Sequence, residues 1–229
     1  MRLDKFVAKA ADVPRSKAKK LISSGKVSVD QSICKSANLL ISDLQSIELL
    51  GNPLSYVQHK YILLNKPKGY ICSTKDEQYP SALNLLDTIS LEKLHFAGRL
   101  DVDTSGLVLI SDNGQWTHRV TSPKHQHEKT YIVTTSEVVS SEQQQKLTTG
   151  IVLKDSAKAT LPATVEIISE KVISLAITEG RYHQVKRMLA AVGNHVVDLH
   201  RKSIGCLTMD ENMNGGDWRY LSQEEIDSY

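Results

Sequence analysis

Three short stretches carry residues whose types and spacing could do chemistry. Residues 97–111, AGRLDVDTSGLVLIS, run from a turn rich in Gly and Asp directly into an apolar strand, so Arg99, Asp101 and Asp103 sit near a loop–strand junction. A carboxylate beside a core strand can be held rigidly, as a nucleophile or general base requires. Two Asp at i and i+2 equally suit metal binding or simple turn capping, and residue types alone leave all three readings standing. Residues 127–133, HEKTYIV, put Tyr131 in an alternating strand with Lys129 on its side and Thr130 and Ile132 on the other. A strand tyrosine is ordinarily a core residue with its hydroxyl at the rim. Residues 179–201 read EGRYHQVKRMLAAVGNHVVDLHR. There Val185, Met188, Leu189 and Val192 follow helical spacing and define a buried face, while His183, Lys186 and Arg187 share another. Cations at a helix start oppose the macrodipole. That placement suits a functional cluster, or a merely solvated basic face.

Other reactive residues imply less. His118, His125 and His127 match no common zinc spacing and read as surface or RNA-facing histidines; no metal is expected. Cys34, Cys72 and Cys206 are odd in number and lack CxxC spacing, which argues against zinc and disulfide frameworks and for a reducing compartment. The N-terminal stretch is too charged for a signal peptide and no apolar run approaches a membrane span, so a cytoplasmic location is expected.

These residues need elements to position them. The 229 residues are 40% hydrophobic and 24% charged, ordinary for a globular protein and sufficient for two modest domains. Residues 1–60 hold ten Lys/Arg against five Asp/Glu, an excess of +5, whereas the remainder is at −3. A basic N-terminal unit on a near-neutral body suits a tether for a polyanion, or a solvated helix face. Leu3, Phe6, Val7, Ala10 and Ala11 mark a first helix. Pro14 and Ser16 start a second, with Ser16 as N-cap, Ala18, Leu21 and Ile22 inside and Gly25 ending it. Lys17, Lys19, Lys20 and Lys26 surround that helix, and short strands follow at Val27–Val29 and Ser46–Leu49.

Gly51-Asn52-Pro53 opens a linker running to Lys60, which sets expected domains at 1–58 and 59–229. Beyond it, YILLNKP is a strand entering a Pro67/Gly69 turn, and YICST returns from that turn. GLVLIS, KTYIVTT, ATVEIIS and VISLAIT are further strands, with helices at about 115–121, 141–149 and 184–192. The body reads as α+β with a mixed or antiparallel central sheet.

Two resemblances sharpen these readings. The opening, with RLDKF and SKAKKLISSGKVSVD, resembles the S-four-like RNA-binding domain (the alpha-L motif), a small α/β unit. That resemblance implies that the second helix and its following turn face RNA, with Arg15, Lys17, Lys19, Lys20 and Lys26 contacting phosphates. Gly98, Arg99, Leu100, Asp101, Asp103, Thr104, Gly106 and Leu107 reproduce GRLDxDTxGL, and the chain thereby resembles the RsuA-type family of ribosomal RNA pseudouridine synthases. The family resemblance implies a catalytic domain with a mixed, mainly antiparallel central sheet flanked by helices.

It also implies roles for the residues. Asp101 is the catalytic nucleophile, Asp103 its structural neighbour, and Arg99 helps occupy the space left when the base leaves the helix. Tyr131, in the family's KxY, stacks on the target ring or assists proton removal. Lys186, in HQVKRM, pairs with the catalytic carboxylate, keeping it ionised and oriented; Arg187 is the alternative partner. His183 and Arg187 join the expected RNA-contacting set. The likeness extends from about residue 1 to 225, through HKYILLNKPKGYICST and YLSQEEI. DNGQWTHRVTSP and the chain length bring it nearest the members acting on small-subunit (16S) RNA. The implied reaction detaches uracil from ribose, rotates it and rejoins it through carbon, after flipping the target base, and needs no cofactor. The implied partner is ribosomal RNA, free or in an assembling particle, with no membrane partner and the chain acting as a monomer. Three rivals remain: a sibling acting on large-subunit (23S) RNA, a noncatalytic RNA-binding assembly factor, and a metal-dependent RNA hydrolase using Asp101 and Asp103 as ligands.

Overall fold

The computed structural model describes residues 1–42, 45–55, 59–87, 89–154 and 156–229. The chain divides into two units, Met1–Gln58 and His59–Tyr229. Part of the expected linker, residues 56–58, lies outside the described residues.

In the first unit, α1 (Leu3–Ala10) and α2 (Arg15–Ser23) bury Leu3, Val7, Ala18 and Ile22 against one another. The cap of α2 is Pro14, not Ser16. Pro14 is already extended at φ −54° and ψ 141°, and its carbonyl accepts from the N–H groups of Lys17 and Ala18. The ring-fixed φ suits the helix boundary, so the helix starts one residue before Ser16, which makes no cap. At the other end Gly25 adopts φ +72°, with Gly25 N–H on Ile22 O and Lys26 N–H on Leu21 O. This double closure satisfies carbonyls that the helix end would leave open. The strands β1 (Val27–Val29), β2 (Ser32–Ile33), β3 (Ile47–Leu49) and β4 (Asn52–Pro53) form a small sheet in the order β2-β1-β3-β4.

The second unit is a nine-stranded mixed sheet. Its strands are β5 (Tyr61–Lys66), β6 (His95–Ala97), β7 (Ser105–Ser111), β8 (Lys129–Thr135), β9 (Thr164–Ser169), β10 (Val172–Ile177), β11 (Val196–Ile204), β12 (Leu207–Thr208) and β13 (Trp218–Tyr220). The main order is β13-β5-β7-β11-β8-β10-β9, with β6 on β7 and β12 on β11. Among the described strands of this sheet only β7 and β11 pair in parallel, His200 opposite Ser105 and Arg201 opposite Gly106. Gly106 has φ +113°, and a Cβ there would overlap the Arg201 backbone. Glycine is therefore the residue that lets β11 come this close.

Strand alternation splits the core between two faces. Ile62, Leu64, Val108 and Ile110 face a cluster containing Leu147 of α4 (Ser141–Thr149) and Val185, Met188 and Leu189 of α5 (Gln184–Ala191). Leu63, Leu107 and Leu109 face the opposite cluster, with Trp116 and Val120 of α3 (Gly114–Thr121). The Trp116 indole N–H donates to the Ile226 carbonyl in α6 (Gln223–Asp227), pinning the C-terminal helix. Two expectations change here. YICST is not the returning strand: only Ile71 makes a bridge, to Ser81, while β7 and β13 occupy the two edges of β5. Lys66 draws the Tyr70 carbonyl to its ammonium, which turns the chain away from a ladder. And β11, a central strand, was not anticipated, because Asp198, His200, Arg201 and Lys202 interrupt its apolar run. Among the described residues no helix is long and apolar enough to cross a membrane.

Candidate active site

Asp101 lies on the loop that joins β6 to β7, and four successive residues of that loop are tied by their backbones. The Arg99 carbonyl accepts from Arg201 Nη1 at 3.4 Å, and Leu100 N–H donates to Cys72 Sγ at 3.4 Å. The Asp101 carbonyl accepts from Thr104 N–H at 3.1 Å, and the Val102 carbonyl from Gly69 N–H at 2.7 Å. Arg201 also donates from Nε to the Leu107 carbonyl at 2.8 Å, so one buried guanidinium spans both ends of the loop. Gly69 belongs to the turn after β5. That turn is shaped by Lys66, whose buried Nζ donates to the Pro67 and Tyr70 carbonyls at 2.9 and 2.8 Å. Such multiple anchoring holds a reacting side chain to a narrow range of positions.

The side chain of Asp101 meets two groups from the start of α5. His183 Nε2 is 3.2 Å from Oδ1, and Lys186 Nζ is 3.2 Å from Oδ2. Lys186 also reaches Asp103 Oδ1 at 2.5 Å, so the ammonium bridges both carboxylates. His183 precedes α5 in the left-handed region, at φ 48° and ψ 36°. The macrodipole conflict noted in the sequence has a structural answer. The first turn of α5 contains no acidic residue, and Asp101 and Asp103 bring the negative charge from another loop to its basic side chains. The α5 register follows from Val185, Met188 and Leu189 entering the core, which leaves Lys186 on the loop side.

The electrostatics follow from these contacts. Burial works against the charge on Lys186, but its hydrogen bonds to Asp103 and Asp101 outweigh that and raise its pKa. The same hydrogen bond from Lys186 lowers the pKa of Asp103. Lys66 is shifted down by burial, with Cys72, Asp101 and Asp103 pulling the other way. Behind the acid pair there are thus two buried cations, Lys66 and Arg201, bonded to carbonyls rather than to carboxylates. Among the described residues Arg201 Nη2 has no hydrogen-bond partner.

Not every expected residue gathers at this point. Tyr131 lies on β8, opposite Arg201 of β11 and Leu175 of β10. It is nearly buried, in the same core cluster as Leu100 and Val185, the immediate neighbours of Asp101 and Lys186. Arg187 does not reach Asp101; it donates to the Tyr182 and Lys154 carbonyls. Lys186 occupies the place for which both were candidates. Arg99 is exposed. In the first unit Lys17, Lys19, Lys20 and Lys26 are exposed around α2. Arg15 is instead paired with the buried Asp4 at 2.9 Å, and hydrogen bonds from Arg15, aided by Arg2, lower the Asp4 pKa to about 2. Among the described residues no group of three or more His, Cys, Asp or Glu is placed to hold a metal ion.

Sequence reasoning missed Lys66, Gly69, Cys72 and Arg201 as supports of the loop, and it placed His183 with the RNA contacts rather than beside Asp101. The NKPKG turn and an arginine inside a strand-like run were the available signals.

The site thus combines a loop carboxylate with a lysine from a neighbouring helix, in a mixed-sheet unit that follows a basic helical unit in the sequence. Residues 60–191 match the family described as RNA pseudouridylate synthase, and residues 1–43 match the S4 domain. The chain belongs to the RNA pseudouridylate synthase family, whose members are isomerases, and carries an S4 domain ahead of the catalytic one. Over its whole length it is similar to proteins named ribosomal small subunit pseudouridine synthase A. Identity is 49% over 230 residues with that of Salmonella typhimurium, 47% over 230 with that of Escherichia coli K12, and 46% over 228 with that of Vibrio cholerae. Each alignment covers 100% of this chain and 99% of the relative. A crystal structure described as a pseudouridylate synthase superposes with TM-score 0.72 at 44% identity, covering 100% of this chain and 99% of that one.

Proposed function

We propose that this chain isomerises one uridine of small-subunit (16S) ribosomal RNA to pseudouridine, using Asp101 and no cofactor. The observation that carries the chemistry is the Asp101 carboxylate, fixed by its loop and facing His183 and Lys186 at 3.2 Å each. Full-length similarity to relatives named for the small subunit carries the choice of RNA.

In this reading the N1–C1′ bond breaks and a C5–C1′ bond forms. The C5 proton leaves and N1 gains one, so no redox partner or group donor is involved. The target base is extruded from folded RNA at a cost of a few kcal/mol for unstacking. Arg99, exposed on the same loop, fills the vacated space. Asp101 attacks the nucleoside or removes a ribose proton, Lys186 orients it, and Tyr131 packs against the extruded ring. Residues 1–58 act as a separate phosphate-binding domain through Lys17, Lys19, Lys20 and Lys26, and 59–229 as the catalytic domain. The enzyme works as a cytoplasmic monomer on free RNA or on an assembling particle.

The test is release of tritium from RNA labelled at uracil C5, with 16S and 23S transcripts compared, each free and bound to its ribosomal proteins. Label released from 16S RNA, with RNA length unchanged and EDTA without effect, is the expected result. Release from 23S RNA alone would move the substrate to the large subunit. Binding without release would reduce the chain to an RNA-binding factor.

A further inference from the structure

Tyr182 is the most exposed aromatic among the described residues, at 73% of its accessible surface. It stands at the tip of a turn whose other side chains are committed to holding that turn still. Arg181 pairs with Glu179 at 3.0 Å and donates to Ser156 Oγ and to the carbonyls of Lys158 and Ala159. The Gln184 side chain is buried; it accepts from Arg181 N–H at 2.8 Å and donates to Glu179 Oε1 at 2.7 Å. Arg187 donates to the Tyr182 carbonyl at 3.3 Å. A flexible surface loop would need none of these bonds. The Tyr182 ring stacks on His183 with centroids 3.8 Å apart and planes 21° from parallel. His183 in turn touches Asp101 at 3.2 Å through its Nε2. One imidazole therefore separates the reacting carboxylate from an aromatic ring whose outer face is open.

We propose that Tyr182, backed by His183, is a stacking subsite for an unpaired nucleobase of the RNA lying one or two nucleotides from the target uridine. The proposal rests on Asp101 being the reaction centre. Extruding the target leaves its neighbour without a stacking partner, and a preset aromatic face at the rim of the site replaces it. Every base has a π-face, so such a contact accepts any sequence at that position while fixing the path of the strand. Because the turn is already rigid, little ordering is needed when the base arrives. Lys154 and Lys158, exposed on the segment whose carbonyls hold Arg187 and Arg181, suit the phosphates of the same strand.

The experiment uses the full chain and a 16S RNA fragment that the wild type binds. RNA affinity and single-turnover rate at saturation are measured for wild type, Tyr182→Phe and Tyr182→Ala. The same measurements are repeated on fragments abasic at each of the two nucleotides on either side of the target. Tyr182→Ala should weaken affinity by roughly 5- to 150-fold, the range of one lost stack, and Tyr182→Phe should stay within about twofold of wild type. On the fragment lacking the stacked base the Ala variant and wild type should bind alike, while the other abasic fragments keep the difference. Equal affinity of wild type and Tyr182→Ala on intact RNA would overturn the subsite, as would an Ala effect that persists on all four abasic fragments. A fall in saturated rate without loss of affinity would also overturn it, since Tyr182 would then only hold His183 in place. If wild type binds but releases no tritium, the proposed function fails instead, and the affinity comparison still decides whether a base stacks on Tyr182.

Discussion

Replacing Lys186 by Met removes the ammonium that bridges Asp101 and Asp103 at 3.2 and 2.5 Å, leaving His183 as the remaining partner of Asp101. The lysine is 25% exposed and Asp101 29%, so the pair is partly shielded; Asp103, at 65%, is mostly in water. The Lys186–Asp103 contact is therefore worth about 1 kcal/mol or less to folding. The Lys186–Asp101 contact acts where the proposed chemistry takes place, and losing a fixed charge partner there costs on the order of 10²–10³ in rate, about 3–4 kcal/mol. Lys186→Met should thus lower the saturated single-turnover rate by that factor, with RNA affinity changed much less. Lys186→Arg should retain part of the rate, because it keeps the charge in a different shape. Stability supplies a separate check. The lowered Asp103 carboxyl contributes stability that is present above the ordinary carboxylate range and is lost as pH falls through its folded value. The raised Lys186 ammonium contributes stability present below the ordinary lysine range and lost as pH rises through its folded value. The small melting difference between wild type and Lys186→Met should accordingly be largest from about pH 5 to 9 and fade as pH falls below the ordinary carboxylate range or rises above the ordinary lysine range. A saturated rate within threefold of wild type, or a larger loss from Arg187→Met, would refute the pairing as the catalytic one.

Asp101→Asn keeps the shape and deletes the charge, and should reduce single-turnover rate by several orders of magnitude with RNA affinity nearly intact; a rate within tenfold of wild type would end its assignment as the nucleophile. Gly106→Ala should destabilise the catalytic unit by about 3 kcal/mol or more in urea unfolding, because its Cβ meets the Arg201 backbone at a φ of +113°; an unchanged midpoint would mean that β7 and β11 can part without cost. Removing the charges of Lys17, Lys19, Lys20 and Lys26 together should flatten the logarithmic salt dependence of RNA binding by roughly 3 units, at ~0.7–0.9 per phosphate contact. A slope that does not move would show that α2 does not face the phosphates.

The residues of the candidate site were legible because each sits in a short run whose neighbours also carry information. Asp101 comes with a turn and a strand, and Lys186 with a helix whose apolar positions fix its register. The choice between Lys186 and Arg187 was not legible. The two are adjacent, and only the seating of Val185, Met188 and Leu189 decides which one looks toward the loop. The supports were harder still. Arg201 holds Leu107 and Arg99 from 94 and 102 residues away, through backbone carbonyls that leave no mark on residue type. Arg15 shows a partner that was not legible. The resemblance implied an RNA contact for it, and the structure adds an ion pair to the buried carboxyl of Asp4. A charge count sees the two alike, because the acidic partner lies 11 positions earlier on another helix.

Lys66 and Arg201 give the site its remaining character. A buried cation is costly unless it is well bonded, and a carboxylate partner is the usual answer. Here the bonds go to neutral carbonyls of the same turn and loop that fix Asp101. Their positive charge is consequently not cancelled at short range, and for Lys66 the attraction of Asp101 and Asp103 opposes its downward shift. With Lys186 added, two carboxylates stand among three positive groups. Apolar side chains could fill the same volume, but they would neither tie the loop nor leave a net positive field. A reaction that breaks the N1–C1′ bond sends electrons onto the departing uracil, and a fixed positive surround stabilises that charge without reorganising. In the proposed reaction the two buried cations therefore serve position and potential together. Replacing either by an apolar residue should cost activity even where the protein still folds.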